Sequence, residues 1–357
     1  MKSRLVFFMP KIDRDFFLTE SLLERQDLYT SPLSEIQGNL FMRALLLYSG
    51  ETIDTQKLNL KNLQVRRICS SRTNIFYFAF KCLSELRGVG AKKFIFVAGT
   101  PFQPLLVSKI LHLFFPKSKV QVSIHGEVGG IKSNRIKSVF FRTLIGRVDA
   151  IRFVSDEQRR SFLREYSISH IPNVVAPVPI EIAAPLIKIK SVRSLGFVGR
   201  IHTERDPWLW AQIAEGFPDL EKIIVGEGPL RADFQALIPM ASFYGQLKGS
   251  QLSQAWDDIG ILLSTAPYES YGLALRESLL NGVPVVARSS AGARELEREF
   301  PNIVKLFNSK EEAVHHISCF MQKPPDLEEF YGFRKWFAAK QNSSLMALAH
   351  LWDSIGD

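Results

Sequence analysis

Two glutamates separated by seven residues, Glu269 and Glu277, sit in the stretch Pro267-Tyr268-Glu269-Ser270-Tyr271-Gly272-Leu273-Ala274-Leu275-Arg276-Glu277. Carboxylates accept hydrogen bonds from hydroxyl groups, so the pair can hold two polyhydroxylated parts of one ligand. The apolar run Ile259 to Leu263 reads as a buried strand, the segment after Tyr271 as a helix ending at Asn281-Gly282, and Val283 to Ala287 as the next strand. Glu269 then stands in the loop after the first strand, at the sheet edge where open α/β folds bind ligands, and Glu277 lies further along the helix. The start of that helix presents the backbone amides of Tyr271, Gly272 and Leu273 beside Ser270, a site for a diphosphate, and Gly272 permits a close approach. Together these are parts suited to a sugar nucleotide. The plainer alternative is a solvated pair of surface carboxylates.

Cations precede the acids. Leu195-Gly196-Phe197-Val198-Gly199-Arg200 reads as a strand ending in a turn, followed by Arg205 and then a helix with Asp206 as its cap and Pro207 in first position. Ile223-Ile224-Val225-Gly226-Glu227-Gly228-Pro229 reads as a strand entering a tight glycine turn, with Pro229 starting a helix, and Phe243-Tyr244-Gly245 ends a shorter strand. The plainer reading of Tyr244 is a core residue. In the first half, Val120 to Ile124 delivers His125 to a loop continued by Gly126 and Glu127. An isolated histidine is more often a structural hydrogen-bond partner.

The elements that must position these residues alternate regularly. Strands are expected near 4–9, 63–69, 93–98, 119–125 and 149–154, and helices near 38–48, 73–87, 102–114, 131–145 and 156–165. Ser155 reads as a helix cap. The proline-rich segment Asn173 to Pro185 reads as a linker, a second βα series runs from Leu195 to about Phe307, and Asp326 to Ile355 is helical in pattern. Such alternation implies α/β architecture with two doubly wound parallel sheets.

Composition bounds the problem. At 357 residues and 46% hydrophobic content the chain supports two cores. Cys69, Cys82 and Cys319 lack metal-ligand spacing, and their odd number argues against a disulfide framework, so a reducing, cytoplasmic setting is expected. No apolar run approaches the roughly 18 residues that a membrane span requires. Residues 1–180 carry 27 Lys and Arg against 14 Asp and Glu, and the remainder 18 against 22, so the net charge of +9 belongs to the first half. Lys132, Arg135, Lys137, Arg142 and Arg147 interleave with apolar residues, a pattern that fits either an anionic membrane surface or a core helix with a solvated basic edge.

The segment from Glu269 to Glu277, the following Gly282-Val283-Pro284-Val285-Val286-Ala287 and the Ser290-Ala291-Gly292 turn resemble the Glu-x7-Glu region of the retaining glycosyltransferases of family 4, and the resemblance extends upstream through the second half. It implies the GT-B fold: a Rossmann-like acceptor domain over 1–180, a nucleotide-sugar domain over 181–325, a cleft between them, and helices over 326–357 crossing back. By this resemblance Glu277 would hold the ribose hydroxyls and Glu269 the donor sugar. Arg200 and Arg205 would neutralise the diphosphate, with Arg205 standing where the family has lysine; its planar fork can grip two phosphate oxygens. Gly199, Gly226, Glu227, Gly228 and Pro229 would border the nucleotide, Tyr244 the base, and His125, with Gly126 and Glu127, the sugar and acceptor side. The family's Gly-Gly loop after the first strand is replaced by Met9-Pro10-Lys11-Ile12-Asp13-Arg14-Asp15, and Gly38 of Gln37-Gly38-Asn39 is the candidate substitute.

The expectation is therefore a metal-independent, retaining transferase that moves a sugar from a nucleoside diphosphate to a hydroxyl of a saccharide or lipid-linked acceptor, in cell-surface polysaccharide, lipopolysaccharide or glycolipid synthesis. No cofactor is expected, and the basic half suits peripheral attachment to a membrane. A nucleotide-sugar epimerase of the same fold, a non-catalytic nucleotide-sugar binder and a nucleic-acid-binding protein are the alternatives. The last lacks an aromatic RNA-binding motif or zinc spacing.

Overall fold

The computed structural model describes residues 2–9, 20–30, 40–49, 60, 63–69, 74–89, 93–99, 103–125, 142–180, 182, 192–247 and 249–356. It divides into two compact units, one formed by Met1–Pro179 with Gln341–Asp357 and the other by Ile180–Lys340.

The first unit contains strands β1 (Lys2–Met9), β2 (Leu40–Ser49), β3 (Leu63–Cys69), β4 (Phe94–Gly99), β5 (Lys119–Ile124), β6 (Ala150–Phe153) and β7 (Asn173–Val175). All pair in parallel, in the order β3-β2-β1-β4-β5-β6-β7. Helices α1 (Glu20–Thr30), α2 (Ile75–Gly88), α3 (Gln103–Phe114) and α4 (Asp156–Tyr166) accompany it. Side chains alternate between two cores. Leu45, Leu47, Phe94, Phe96 and Ala98 join a cluster with Phe78, Leu86 and Leu111, whereas Ala44, Leu46, Tyr48, Ile95 and Val97 join Leu23, Tyr29 and Trp352. This two-residue alternation is that of strands buried on both faces.

It also corrects the sequence expectation of a helix over 38–48. Leu40 to Tyr48 is a nearly unbroken apolar run, which fits a buried strand as well as a helix, and the sheet decides for β2. The expected linker from Asn173 is corrected too: Asn173–Val175 extends the sheet as its edge strand, with Asn173 paired to Ile151 and Val175 to Phe153. The expected helix over 131–145 falls mostly outside the described residues. Ser155 caps α4 as expected, accepting from the Gln158 amide at 3.2 Å.

The second unit holds β8 (Ser194–Val198), β9 (Glu221–Val225), β10 (Ser242–Gly245), β11 (Ile261–Ser264), β12 (Val285–Arg288) and β13 (Val304–Phe307). The parallel order is β10-β9-β8-β11-β12-β13, so chain direction around the sheet reverses between β8 and β11. Helices α5 (Pro207–Ala214), α6 (Arg231–Leu237), α7 (Gly249–Asp258), α8 (Leu273–Leu280), α9 (Ala291–Glu299) and α10 (Lys310–Gln322) connect the strands. Trp210, Phe197 and Phe234 form edge-to-face contacts at the centre of its core. The final helix α11 (Leu327–Gly356) begins in the second unit and ends in the first. Among the described residues no helix is long and apolar enough to cross a membrane.

Candidate active site

The reversal between β8 and β11 opens a crevice at the carboxyl ends of these strands, the usual ligand position in an open α/β sheet. The loop after β8 brings Arg205, and the loop after β11 brings Glu269. The two side chains form a half-buried ion pair, with Arg205 donating to Glu269. Sequence reasoning gave them separate tasks. The structure makes each the other's neighbour.

Asp206, expected from the sequence as a helix cap, fixes this pair together with Thr265 and Arg288, which the sequence did not single out. Asp206 adopts a left-handed conformation (φ 47°) between a single 3-10 turn, Thr203–Arg205, and α5. Its carboxylate accepts from the Leu209 amide at 3.3 Å and pairs with Arg288 at the end of β12 at 3.1 Å. The buried Thr265 hydroxyl lies 2.7 Å from the Arg205 carbonyl and 2.9 Å from that of Asp206, tying the cationic loop to the end of β11. Arg205 and Thr265 line a small hollow with Val198, Ser264, Ala266 and Ala274.

The glycines are steric requirements. A Cβ on Gly226 would lie 1.9 Å from the Gly199 carbonyl oxygen, and one on Gly228 would lie 2.1 Å from that of Ile201. The Gly226-Glu227-Gly228 turn thus packs backbone to backbone against Gly199–Ile201, sealed by the Gly199 amide on Val225 and the Ile201 amide on Glu227 at 2.9 Å each. Glu227 pairs with Arg231, the first residue of α6, and Pro229 lies in the turn before that helix. Arg200 is exposed and pairs with Glu204 at 3.2 Å. Tyr244 donates to Asp258 at 3.1 Å, and burial followed by that bond raises its phenol pKa.

Gly272 caps α8 with φ 75°, leaving Leu273 as the first helical residue. Ser270 and Tyr271 are buried, and Glu277 lies partly buried on the helix. Gly292 closes the turn from behind, its amide donating to the Glu269 carbonyl at 2.7 Å. Beneath the turn lies Arg276, 1% exposed. Its guanidinium stacks on the Tyr271 ring at 3.8 Å from the centroid and pairs with Glu295 at 2.9 Å, while Nη1 has no hydrogen-bond partner. Glu295 also accepts from Lys340. Burial raises the Glu295 pKa, but the charge of Arg276 and the bond from Lys340 outweigh it, and the net shift is downward. The sequence held one signal for Arg276: it occupies a place in the stripe of Leu275, Leu279 and Leu280 where an apolar residue is expected.

His125 belongs to the first unit, just after β5. Crowding by protein and then the charge of Arg152 both lower its pKa, so the imidazole is neutral at pH 7. His125 is nevertheless exposed, and solvent screens both effects. Gly38, Gly126 and Glu127 lie outside the described residues. Among the described residues no three His, Cys, Asp or Glu side chains are grouped to hold a metal.

Residues 186–332 match the family model described as Glycosyl transferases group 1. The chain is 33% identical over 102 residues to a GDP-mannose-dependent alpha-mannosyltransferase of Mycolicibacterium smegmatis, covering 29% of this chain and 27% of that protein. It is 27% identical over 178 residues to a 2-deoxystreptamine glucosyltransferase of Streptomyces kanamyceticus, covering 45% of this chain and 46% of the relative. The matches therefore span about a quarter to a half of these relatives. The fold is shared along the whole chain with TarM, at a TM-score of 0.73 and 10% identity over 100% of this chain and 99% of the other. Anabaena HepE in complex with UDP-glucose gives 0.69 and 14%, with 98% of both chains covered. The architecture is thus the GT-B fold.

Proposed function

We propose that the protein is a retaining, metal-independent glycosyltransferase that moves a hexose from a nucleoside diphosphate to a hydroxyl of a saccharide or lipid-linked acceptor, in cell-surface polysaccharide, lipopolysaccharide or glycolipid synthesis at the inner face of a membrane. The observation that carries this reading is the Arg205–Glu269 pair beside the amides that open α8. Arg205 and the amides of Gly272 and Leu273 bind the diphosphate, with Arg200 as the outer cation. A guanidinium has five N–H donors, more than one carboxylate takes, so Arg205 can hold phosphate and Glu269 together. Glu269 accepts from donor-sugar hydroxyls, Glu277 from the ribose, and the glycine turns let the nucleoside approach the backbone.

Charge develops on the departing diphosphate in the transition state. A fixed guanidinium and oriented amides stabilise it without reorganising, and no metal or cofactor is required by this arrangement. The departing phosphate oxygen takes the acceptor proton as the hydroxyl attacks from the face the diphosphate leaves. His125, neutral at pH 7, is the proposed hydrogen-bond partner for the sugar or acceptor.

Similarity to GDP-mannose-dependent enzymes and shared fold with a UDP-glucose complex make guanosine and uridine diphosphates the first donors to test. Thermal unfolding with each nucleoside diphosphate, followed by transfer assays with the matching sugars and a chelator present, tests the proposal. A raised midpoint with one diphosphate and chelator-resistant transfer with retention of anomeric configuration are expected. Conversion of the donor without any acceptor would favour the epimerase instead.

A further inference from the structure

Helix α2 is apolar on both sides over its first two turns. Its inner side buries Phe78, Ala79, Cys82, Leu83 and Leu86 in the first unit. Its outer side exposes Phe76 (68%), Tyr77 (50%) and Phe80 (63%), and the neighbouring α3 ends in exposed Leu113 (77%) and Phe114 (54%). Phe76 and Phe80 are one turn apart, and the Arg87 guanidinium, 6.0 Å from the Phe114 ring, joins the end of α2 to that of α3. Scattered exposed apolar residues are ordinary; five large ones along two adjacent helices form a patch that calls for a covering surface.

The margin of the patch is cationic. Lys81 lies 5.5 Å from the Tyr77 ring, Arg87 borders Phe114, and exposed Arg66, Arg67 and Lys117 lie on β3 and after α3. From residue 61 to 125 the chain has one acid, Glu85, which pairs with Arg66 at 3.3 Å. We infer that the outer face of α2 and the end of α3 dock on an anionic phospholipid bilayer. Aromatic rings enter the boundary between headgroups and acyl chains, and the lysine and arginines meet the lipid phosphates. A second copy of the chain presents the same cations on this face, so face-to-face pairing is repelled. The inference deepens the peripheral part of the proposed function and uses residues of the first unit only.

Flotation of the full chain with vesicles of phosphatidylcholine and phosphatidylglycerol in equal parts, against phosphatidylcholine alone, tests it. Binding is expected to the anionic vesicles only and to fall as salt rises. The Phe76→Ser, Phe80→Ser double variant is expected to bind at least about tenfold more weakly, and replacing Lys81 or Arg87 by Gln about fivefold each. Circular dichroism checks that these variants of outward-facing residues stay folded, and the salt series on the unaltered protein needs no variant. Absence of the unaltered protein from anionic vesicles, or unchanged binding by folded double variants, overturns the inference. So does conversion of a dimer to a monomer by Phe76→Ser, Phe80→Ser with vesicle binding intact. Nucleoside diphosphate binding, measured in parallel, tests the second unit alone, so failure there leaves the docking surface standing, and the reverse holds equally.

Discussion

At the scale of single residues, the Arg205–Glu269 pair concentrates the chemistry. Arg205→Ala is expected to lower turnover by about 10² or more, the usual loss when one donor to a developing anion is removed. Arg205→Lys keeps the charge, loses the planar fork and should recover only part. Steady-state kinetics decide, and near-normal turnover by Arg205→Ala would reject the assignment. Arg276 acts one layer deeper. Its loss leaves Glu295, itself largely buried, with Lys340 as its paired cation and the charge of Arg298 nearby, and breaking a buried pair from one side costs about 3–5 kcal/mol. Because the folded-state pKa of Glu295 is depressed, its contribution is present above the unfolded glutamate value of about 4.3 and is lost as pH falls through the folded value. Glu295→Gln should therefore flatten the acid side of the stability curve. Urea unfolding between neutral pH and pH 3 measures this, and an unchanged acid slope would contradict it.

At the scale of elements, the glycine turns transmit sequence into site geometry most directly. Gly226→Ala must push a methyl against the Gly199 carbonyl from a backbone at φ 139°, so a destabilisation of about 1–3 kcal/mol is expected from the conformation before any displacement is counted. Displacement of Gly199–Ile201 should also weaken nucleoside diphosphate binding, which calorimetry on the folded variant reads. These turns were legible in the sequence because glycine and proline punctuate strand ends, and so were Asp206 and Pro207 at the start of α5. The Leu40 to Ser49 strand was not, since a run apolar on both faces has no period to read. Asn173–Val175 was hidden by the prolines that follow it, and α1, a mostly polar helix, gave no apolar stripe. Within the site, the carboxylates, cations and glycines stood out by type. The contacts among them did not: Thr265 on the Arg205 loop, Arg288 on Asp206 and Glu269 on Arg205 join residues some 60 to 80 positions apart.

At the scale of the molecule, α11 belongs to both units, and that makes their contributions separable. Its carboxyl half, from Gln341, packs Leu345, Leu348, Ala349 and Trp352 into the core shared with β2 and β4, and the Trp352 indole donates to Gln121 on β5. Every residue proposed to bind the nucleoside diphosphate lies instead within Ile180–Lys340. Trp352→Ala removes a large side chain that is 1% exposed and leaves Gln121 without this donor, so a loss of about 3–5 kcal/mol is expected in the first unit. Its affinity for the nucleoside diphosphate should stay within about twofold, because the variant touches neither the β8–β11 crevice nor α8. Denaturant unfolding gives the first quantity and calorimetry below the transition gives the second. A tenfold loss of affinity in a variant that is still folded would mean that the donor site depends on the core of the first unit, and the assignment of diphosphate binding to the second unit alone would fall.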